Sequence, residues 1–452
     1  VSAAPLRRTQ PAPPVRHVHL GLGAFFRAHQ AWYTAHADDA AEWGIAAFTG
    51  RSRALADTLT AQDGLYTLAE LAPGADHVET VESVVAAHAG TDHEALLRYA
   101  ADAAVTVMTT TVTEAGYVRG ASGIDHEDSR VAADVATLRA DPRAPVQTAP
   151  ARIVAFLLAR RAAGGGGLTI VPCDNLPSNG DVLRDVVEDL TSLVDPSLQA
   201  WADEHLSYVT TMVDRITPAS TDDDVARARA AGFDDAAPVA TEPFAEWVLA
   251  GEFRGPHPAW ETAGATFTDD VVPYEERKLF LLNGAHSLLA YAGSARGHET
   301  VAEAFADPLV RSRVEAWWDE ACRHLTLPAG DLAAYRVALT ARFANTSIRH
   351  LLAQIAKDGT QKLPVRILPT LRRERTEGRM PDGAVAALAA WIASVRAGGP
   401  ALDDPLAERL RPLVGMPADA GSRDLLALLD PALAQDAELV RAVVHAQVLV
   451  PR

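Results

Sequence analysis

From residue 15 to about residue 213, short β-branched or apolar runs alternate with longer stretches of helical periodicity. That alternation predicts parallel strands joined by crossover helices, an α/β arrangement. The predicted strands cover residues 16–20, 44–49, 105–112, 168–172 and 208–213, and each ends in a polar or glycine-containing loop. Open α/β sheets bind ligands on loops of this kind. After Pro273 the strand signal fades. Helical patterns follow one another over residues 274–292, 308–325, 330–343, 383–397 and 422–450, which predicts a mainly α-helical second half. The stretch 255–273, rich in Pro, Gly and Thr, separates the two patterns, and a boundary is expected near residue 270.

Composition narrows the function classes. With 452 residues the chain exceeds what one core serves. A content of 48% apolar and 22% charged residues predicts a chain folded throughout. A net charge of −18 repels phosphate backbones and anionic membranes, so nucleic acid and membrane are not expected partners. Two cysteines, Cys173 and Cys322, build neither a disulfide framework nor a cysteine-based zinc site. The first fifteen residues lack the apolar stretch of a signal peptide, and no apolar run reaches membrane-spanning length. A cytoplasmic protein without a metal, acting as a monomer or a small homo-oligomer, is expected.

The first strand runs into Gly21-Leu22-Gly23-Ala24-Phe25-Phe26 and then into a helical stretch. In a dinucleotide-binding turn the first glycine permits the tight turn and the second lets the backbone approach the pyrophosphate. Gly21 and Gly23 match those roles, with Phe25 and Arg27 beside them, and the usual third glycine is replaced by Phe26, which predicts wider helix–sheet packing. The pattern thus predicts an α/β half over residues 15–270, a Rossmann-type dinucleotide-binding domain if the glycine turn holds a pyrophosphate and an ordinary strand-to-helix turn otherwise, and a mainly α-helical half over 271–452, the expected substrate and catalytic domain. The second strand is followed by Arg51-Ser52-Arg53, where NAD-specific folds often carry an acidic residue. Two arginines there suit a 2′-phosphate, so NAD(H) is expected with NADP(H) possible; an ordinary solvated turn has the same sequence.

The segment from Tyr274 to His286 carries the candidate chemistry. At about 100° per residue, Asn283 lies about 140° and His286 about 80° round a helix from Lys278, so the three share one side. Oxidising an alcohol by hydride transfer needs a base for the hydroxyl proton and donors for the developing oxygen. A lysine ammonium that loses water is destabilised and becomes available as a free amine. Carboxamides supply fixed neutral donors. Gly284 costs roughly 1 kcal/mol of helix propensity against alanine, which predicts close approach of a ligand or backbone. A solvated helix face would show the same three polar residues. Further polar clusters follow strands: Thr113-Glu114-Ala115-Gly116-Tyr117; Cys173-Asp174-Asn175-Leu176-Pro177-Ser178-Asn179-Gly180; and Asp214-Arg215, which could also be a structural ion pair.

Taken together, HLGLGAFFRAHQAWY (19–33), WGI and QDGLYTL (43–45 and 62–68), TVTEAGY (111–117), CDNLPSNG (173–180), MVDRITP (212–218), KLFLLNGAHS (278–287) and DGTQKLPVR (358–366) resemble the polyol-specific long-chain dehydrogenase/reductase family. That family includes mannitol dehydrogenases and fructuronate reductases. The resemblance covers most of the chain. It departs from the family motif at Phe26, where histidine is common. It implies metal-independent hydride transfer with Lys278 as general acid/base, Asn175 and Asn283 as oxyanion donors, and His286 as a substrate-positioning residue. It also implies cofactor contacts from Gly21, Gly23, Phe25, Arg27, Arg51, Thr113 and Glu114, and substrate contacts from Asp214 and Arg215. The DGTQKLPVR and TMVDR stretches look more like the fructuronate reductase branch, where Lys362 or Arg366 would pair with a substrate carboxylate. The expected substrate is thus a small sugar acid, D-mannonate or D-fructuronate. A polyol such as mannitol or arabinitol is the alternative, and a non-catalytic NAD(H)- or sugar-binding protein is a third reading.

Overall fold

Strand β1 (Val15–Leu20) is buried along its last four residues, as a strand covered on both faces by helices requires. Its neighbours are β2 (Gly44–Phe48), β3 (Val84–His88), β4 (Val107–Thr110), β5 (Leu168–Pro172) and β6 (Leu206–Tyr208). The computed structural model describes residues 3–50, 52–120 and 123–448. The six strands pair in the order β3-β2-β1-β4-β5-β6, all parallel. This is the doubly wound order in which the chain reverses direction between β1 and β4, leaving a crevice at their carboxyl ends. β2 and β5 are buried at every position, which is why they read as continuous apolar runs rather than alternating ones.

Helix α1 (Ala24–Ala28) follows β1 directly. Helices α2 (His93–Ala101) and α3 (Ala149–Ala162) start at side-chain caps, Asp92 accepting from the Ala95 amide and Thr148 from the Ala151 amide. Helix α4 (Asn179–Val194) buries Leu183, Val186, Val187, Leu190 and Val194, a stripe at helical spacing. Helices α2, α3 and α4 share with the sheet one core that includes Val18, Met108, Phe156 and Ile170, whereas α1 buries Phe26 and Ala28 in a second core with Ile45 and Tyr66.

Three strand expectations change. The run 208–213 is two elements: β6 ends at Tyr208, and Thr210–Asp214 pairs antiparallel with Glu246–Ala250 in a separate three-stranded sheet. The Val209 amide makes the last bond to β5, donating to the Ile170 carbonyl at 3.0 Å, before the chain leaves the main sheet. The run 105–112 shortens to Val107–Thr110. Strand β3 was not expected, because its sequence VVAAH is short and contains two alanines, a residue depleted in strands.

The chain divides into two compact units, Val1–Val272 and Pro273–Arg452. The second is helical. It opens with one continuous helical segment in three parts: Val272–Arg277 (α), Lys278–Gly284 (π) and α5 (Ala285–Ala295). Helices α6 (Pro308–Cys322), α7 (Ala329–Phe343), α8 (Gly359–Arg366), α9 (Asp382–Arg396) and α10 (Ala437–Val448) follow, with further helices between them. Twelve residues of α9 are buried, so it forms the centre of this unit rather than one face of it. The expected helix over 422–450 is two, Ala418–Leu429 and α10, because Pro431 cannot continue the first. Most of the DGTQKLPVR stretch, for which no element was expected, forms α8.

Asp235 ties the first unit together. Its buried carboxylate accepts from the Thr67 amide at 2.6 Å, the Thr67 hydroxyl at 2.7 Å, Gln62 Nε2 at 2.8 Å and the Ala237 amide at 2.7 Å. Removing it strands buried donors, each worth about 1–3 kcal/mol. Asp235→Ala is expected to cost at least about 3 kcal/mol, read as a lower urea midpoint for unfolding of the first unit.

Candidate active site

In the first unit two cavities open at the carboxyl ends of the parallel strands. The larger, about 700 Å³, is walled by Leu20 and Gly21 after β1, Thr49 and Gly50 after β2, Gly90 and Thr91 after β3, Thr111 to Thr113 after β4, and Thr148 and Arg152 at the start of α3. The smaller, about 490 Å³, is walled by Phe25, Thr113, Glu114, Cys173, Asp174, Asn175 and Val213. Thr111, Val112 and Thr113 line both, so the two form one groove across the point where strand order reverses.

The glycines beside this groove have different causes. Gly21 has φ +120°, and a Cβ there would lie 2.5 Å from Thr111 Oγ1. The fold itself demands this glycine. The turn is pinned on both sides: the Gly21 and Leu22 amides donate to the Phe48 carbonyl, and the Thr111 hydroxyl donates to the Gly21 carbonyl at 2.8 Å. At Gly23 the backbone is extended, and the nearest atom to an added Cβ is the Gly21 carbonyl oxygen at 3.5 Å. No protein contact requires glycine there, whereas a pyrophosphate approaching the backbone does. The residues present fit a dinucleotide. Phe26 is fully buried and stacks on His19 with ring centroids 3.5 Å apart, so an aromatic pair occupies the helix–sheet gap that a third glycine would close.

Phe25, Thr113 and Glu114 lie on the groove wall as expected for cofactor contacts, Thr113 and Glu114 being exposed. Arg27 does not. Its buried side chain donates to the carbonyls of Gly23 and Ala237 and lies over the Tyr66 ring at 5.3 Å, so it secures α1 to the scaffold. Arg51 lies outside the described residues. Arg53 is exposed and paired with Asp57 at 3.0 Å within its own helix turn. Residues lining the groove that the sequence did not single out include Thr49, Gly90, Thr91, His93, Thr148 and Arg152. Gly90 carried a signal, since a Cβ there would sit 2.1 Å from the Gly50 carbonyl. Locating it required β3.

The loop after β5 separates two asparagines. Asn179 is buried, and its carboxamide donates to the Pro172 carbonyl at 3.2 Å and the Asp174 carbonyl at 3.3 Å while accepting from the Thr211 amide at 2.8 Å. It clamps the loop. Asn175 is exposed on the wall of the smaller cavity. The Tyr117 hydroxyl donates to the Asp174 carboxylate, joining this loop to the one after β4. Burial raises the pKa of both, and the Asp174 charge adds to the rise at Tyr117. Asp214 is buried at the end of its strand. Arg215, expected at the substrate, is a scaffold residue: its enclosed guanidinium donates to the carbonyls of Ala28 (2.6 Å) and Glu242 (3.2 Å), pairs with Glu70, and lies 4.7 Å from the Trp32 ring centroid. Its ion pair is with Glu70 rather than Asp214.

In the helical unit, Lys278, Asn283 and His286 occupy the segment expected to carry chemistry, but it is not a regular α-helix. Lys278–Gly284 forms a π turn, which closes i→i+5 instead of i→i+4. Asn283 stands five residues after Lys278, so the π register brings it closer to the lysine's side than 100° steps predicted. Lys278 and Asn283 are half-buried. His286 is buried against Phe343 and His350, ring centroids 5.0 and 5.1 Å away. Gly284 makes room for neither ligand nor backbone: a Cβ there would lie 2.7 Å from the Trp317 indole.

Arg366 and Lys362 differ. Arg366, on α8, donates to the Asn283 carbonyl at 3.4 Å and the Ser287 hydroxyl at 3.3 Å, and the Ser287 hydroxyl also donates to the Asn283 carbonyl at 3.2 Å. Burial lowers the arginine's pKa, offset in part by Tyr291. No carboxylate among the described residues pairs with it. The Lys362 ammonium instead donates to the Lys357 carbonyl at 2.7 Å and the Ile355 carbonyl at 3.4 Å, with Asp358 at 3.5 Å. It closes its own helix start and is not the free cation expected. Among the described residues there is no group of three or more His, Cys, Asp or Glu side chains placed to hold a metal ion.

The strand order, the glycine turn and the groove define a dinucleotide-binding protein. Family models place it further: the mannitol dehydrogenase Rossmann domain matches residues 15–262, and the mannitol dehydrogenase C-terminal domain matches residues 270–449. The chain belongs to the mannitol dehydrogenase family, whose members are NAD-dependent oxidoreductases acting on alcohol groups. It is 38% identical to the D-mannonate oxidoreductase of Escherichia coli (strain K12), over 83% of this chain and 79% of that one. It is 35% identical to a mannitol 2-dehydrogenase of Cereibacter sphaeroides, over 83% of this chain and 79% of that one. Among solved structures, the Pseudomonas fluorescens mannitol 2-dehydrogenase ternary complex with NAD and D-mannitol is similar with a TM-score of 0.77 and 33% identity, covering 98% of this chain and 93% of that one.

The contrast between the two glycines is testable. Gly23→Ala should leave the unfolding midpoint within about 0.5 kcal/mol of the parent while weakening NADH binding, because only a ligand needs the space. Gly21→Ala should be destabilised outright by its positive φ and the contact with Thr111. Fluorescence titration with NADH beside a thermal melt measures both. Equal loss of stability in the two variants would contradict the assignment.

Proposed function

We propose that the protein interconverts a secondary alcohol and a ketone on an open-chain sugar acid, D-mannonate and D-fructuronate fitting best, with NAD(H) as cofactor. The observation that carries the sugar-acid reading is Arg366. A half-buried guanidinium whose protein partners are a neutral carbonyl and a hydroxyl is ready to receive a carboxylate, and such pairs are short and strong. Its contact with the Asn283 backbone sets that charge beside the turn that carries Lys278. The likeness to D-mannonate oxidoreductase supports the same substrate.

A dinucleotide held in the groove beside Gly21, Gly23 and Phe25 would supply the hydride acceptor for oxidation and the donor for reduction. Lys278 accepts the hydroxyl proton during oxidation and returns it during reduction. Asn283 donates N–H groups to the oxygen as its charge develops, the role that the family resemblance also implies for Asn175. His286 orients a neighbouring substrate hydroxyl. The Phe343 and His350 rings packed on its imidazole restrict its movement, which suits a positioning role. A second reading, oxidation of a neutral polyol such as mannitol, is favoured by the similarity to the mannitol-bound enzyme along 98% of this chain.

Oxidation of NADH and NADPH followed by absorbance, with fructuronate, tagaturonate, fructose and fructose 6-phosphate as acceptors, separates the readings. Turnover of fructuronate well above that of fructose is expected; turnover of fructose alone would replace the sugar-acid reading with the polyol one. Lys278→Ala is expected to lower kcat by about 10²–10⁴-fold with NADH binding retained. Arg366→Met should lower kcat/KM for fructuronate by roughly 10- to 100-fold, the loss of a charged hydrogen bond, and change that for fructose far less. An equal loss on both substrates would reject Arg366 as the carboxylate partner.

A further inference from the structure

We propose that Trp317 and Trp318 are positioning residues for the reaction, their indole N–H groups holding the π turn in the register that sets Lys278 and Asn283 on one side. The inference rests on the reading of Lys278 as the acid/base. Neither tryptophan lies in a segment that the proposed chemistry uses. They are consecutive on α6, both buried, and both reach into the same turn. Trp317 Nε1 donates to the Phe280 carbonyl at 2.8 Å, and Trp318 Nε1 donates to the Leu281 carbonyl at 2.9 Å.

Those two carbonyls lie between Lys278 and Asn283. A carbonyl has two lone pairs, so each can accept from an indole in addition to the helix ladder. The π form is uncommon, and an unsupported segment of this length reverts to i→i+4 bonding. Reversion would swing Asn283 and His286 roughly a quarter turn away from Lys278. Two indole donors fixed from outside oppose that change.

The tryptophans are themselves held in place. A Cβ at Gly284 would lie 2.7 Å from the Trp317 ring, and one at Gly383 would lie 2.4 Å from the Trp317 backbone nitrogen. Two glycines thus close on Trp317, one on the π turn against its indole and one on α9 against its backbone. The buried Glu320 carboxylate, one turn further along α6, accepts from the Gly383 amide at 2.6 Å and the Ala384 amide at 2.9 Å, fixing α6 to the start of α9. The Trp318 ring stacks near Phe343, which also packs on His286.

The test removes the N–H and keeps the ring. Benzothienylalanine carries sulfur in place of the indole N–H, and it would be incorporated at positions 317 and 318 singly and together in the full-length enzyme, beside 5-fluorotryptophan, which retains the donor. Readouts are kcat, KM, the NADH dissociation constant, the pH profile of kcat and the melting temperature. In the double isostere, kcat should fall by roughly 10- to 100-fold, with a displaced pH profile and NADH affinity within about twofold of the parent. Fluorotryptophan should restore kcat to within about twofold. An unchanged kcat and pH profile with a lowered melting temperature would reduce both residues to core packing and overturn the proposal. Turnover that survives Lys278→Ala would overturn the reading of Lys278 and this inference with it. Turnover that needs Lys278 but ignores the isosteres would overturn this inference alone.

Discussion

Seven residues from Lys278 to Gly284 close five residues back instead of four, and much of the helical unit is arranged around that register. A π turn gives up regular packing, so its neighbours must supply what an α-helix supplies internally. Here the indoles of Trp317 and Trp318 bond to the Phe280 and Leu281 carbonyls, Gly284 yields space to Trp317, and Arg366 and Ser287 meet at the Asn283 carbonyl. A lysine, a carboxamide and an uncompensated guanidinium are held by one backbone feature. That combination suits a substrate with an oxygen to deprotonate and a carboxylate to neutralise.

The first unit treats the cofactor turn in a comparable way. Beneath Gly21 runs a buried chain of hydrogen bonds: His17 Nε2 and Thr109 Oγ1 are 2.6 Å apart, His19 Nδ1 and Thr109 Oγ1 are 2.8 Å apart, and Thr111 sits 3.1 Å from His19 Nε2. Burial pushes the His17 pKa down to about 3 and that of His19 well below its ordinary value, so both rings are neutral supports. Thr111 then passes the link to the Gly21 carbonyl. In both units the polar groups expected to meet a ligand rest on buried polar groups that do not, which limits how far they can drift.

Local pattern was enough for the parts of the fold that depend on local pattern. β2 and β5 are nearly continuous apolar runs ending in loops, β1 is interrupted by Arg16, His17 and His19, and the placement of Gly21 and Gly23 directly after β1 pointed to the groove. β3 was hidden because five residues rich in alanine look the same in a helix. Spacing alone put Lys278, Asn283 and His286 on one helical segment, with Asn283 about 140° round from Lys278 at regular α spacing. The π turn could not be read that way, since its cause lies 37 residues downstream in two tryptophans. Arg27 and Arg215 were misjudged for a related reason: an arginine beside a motif reads as a ligand until its carbonyl and carboxylate partners are seen, and those of Arg215 lie as far away as Ala28. Arg366 and Lys362 share a helix four residues apart, yet one bonds its own helix start and the other reaches the candidate site, a distinction that only side-chain geometry supplies.

The most direct test of the account is a crystal structure of the protein with NAD and D-mannonate. The account predicts the sugar-acid carboxylate within hydrogen-bonding distance of the Arg366 guanidinium, the reacting hydroxyl at Lys278 Nζ, and residues 278–284 still in π register. A carboxylate directed into solvent, with Arg366 still on Asn283 and Ser287 and Lys278 away from the substrate hydroxyl, would contradict it.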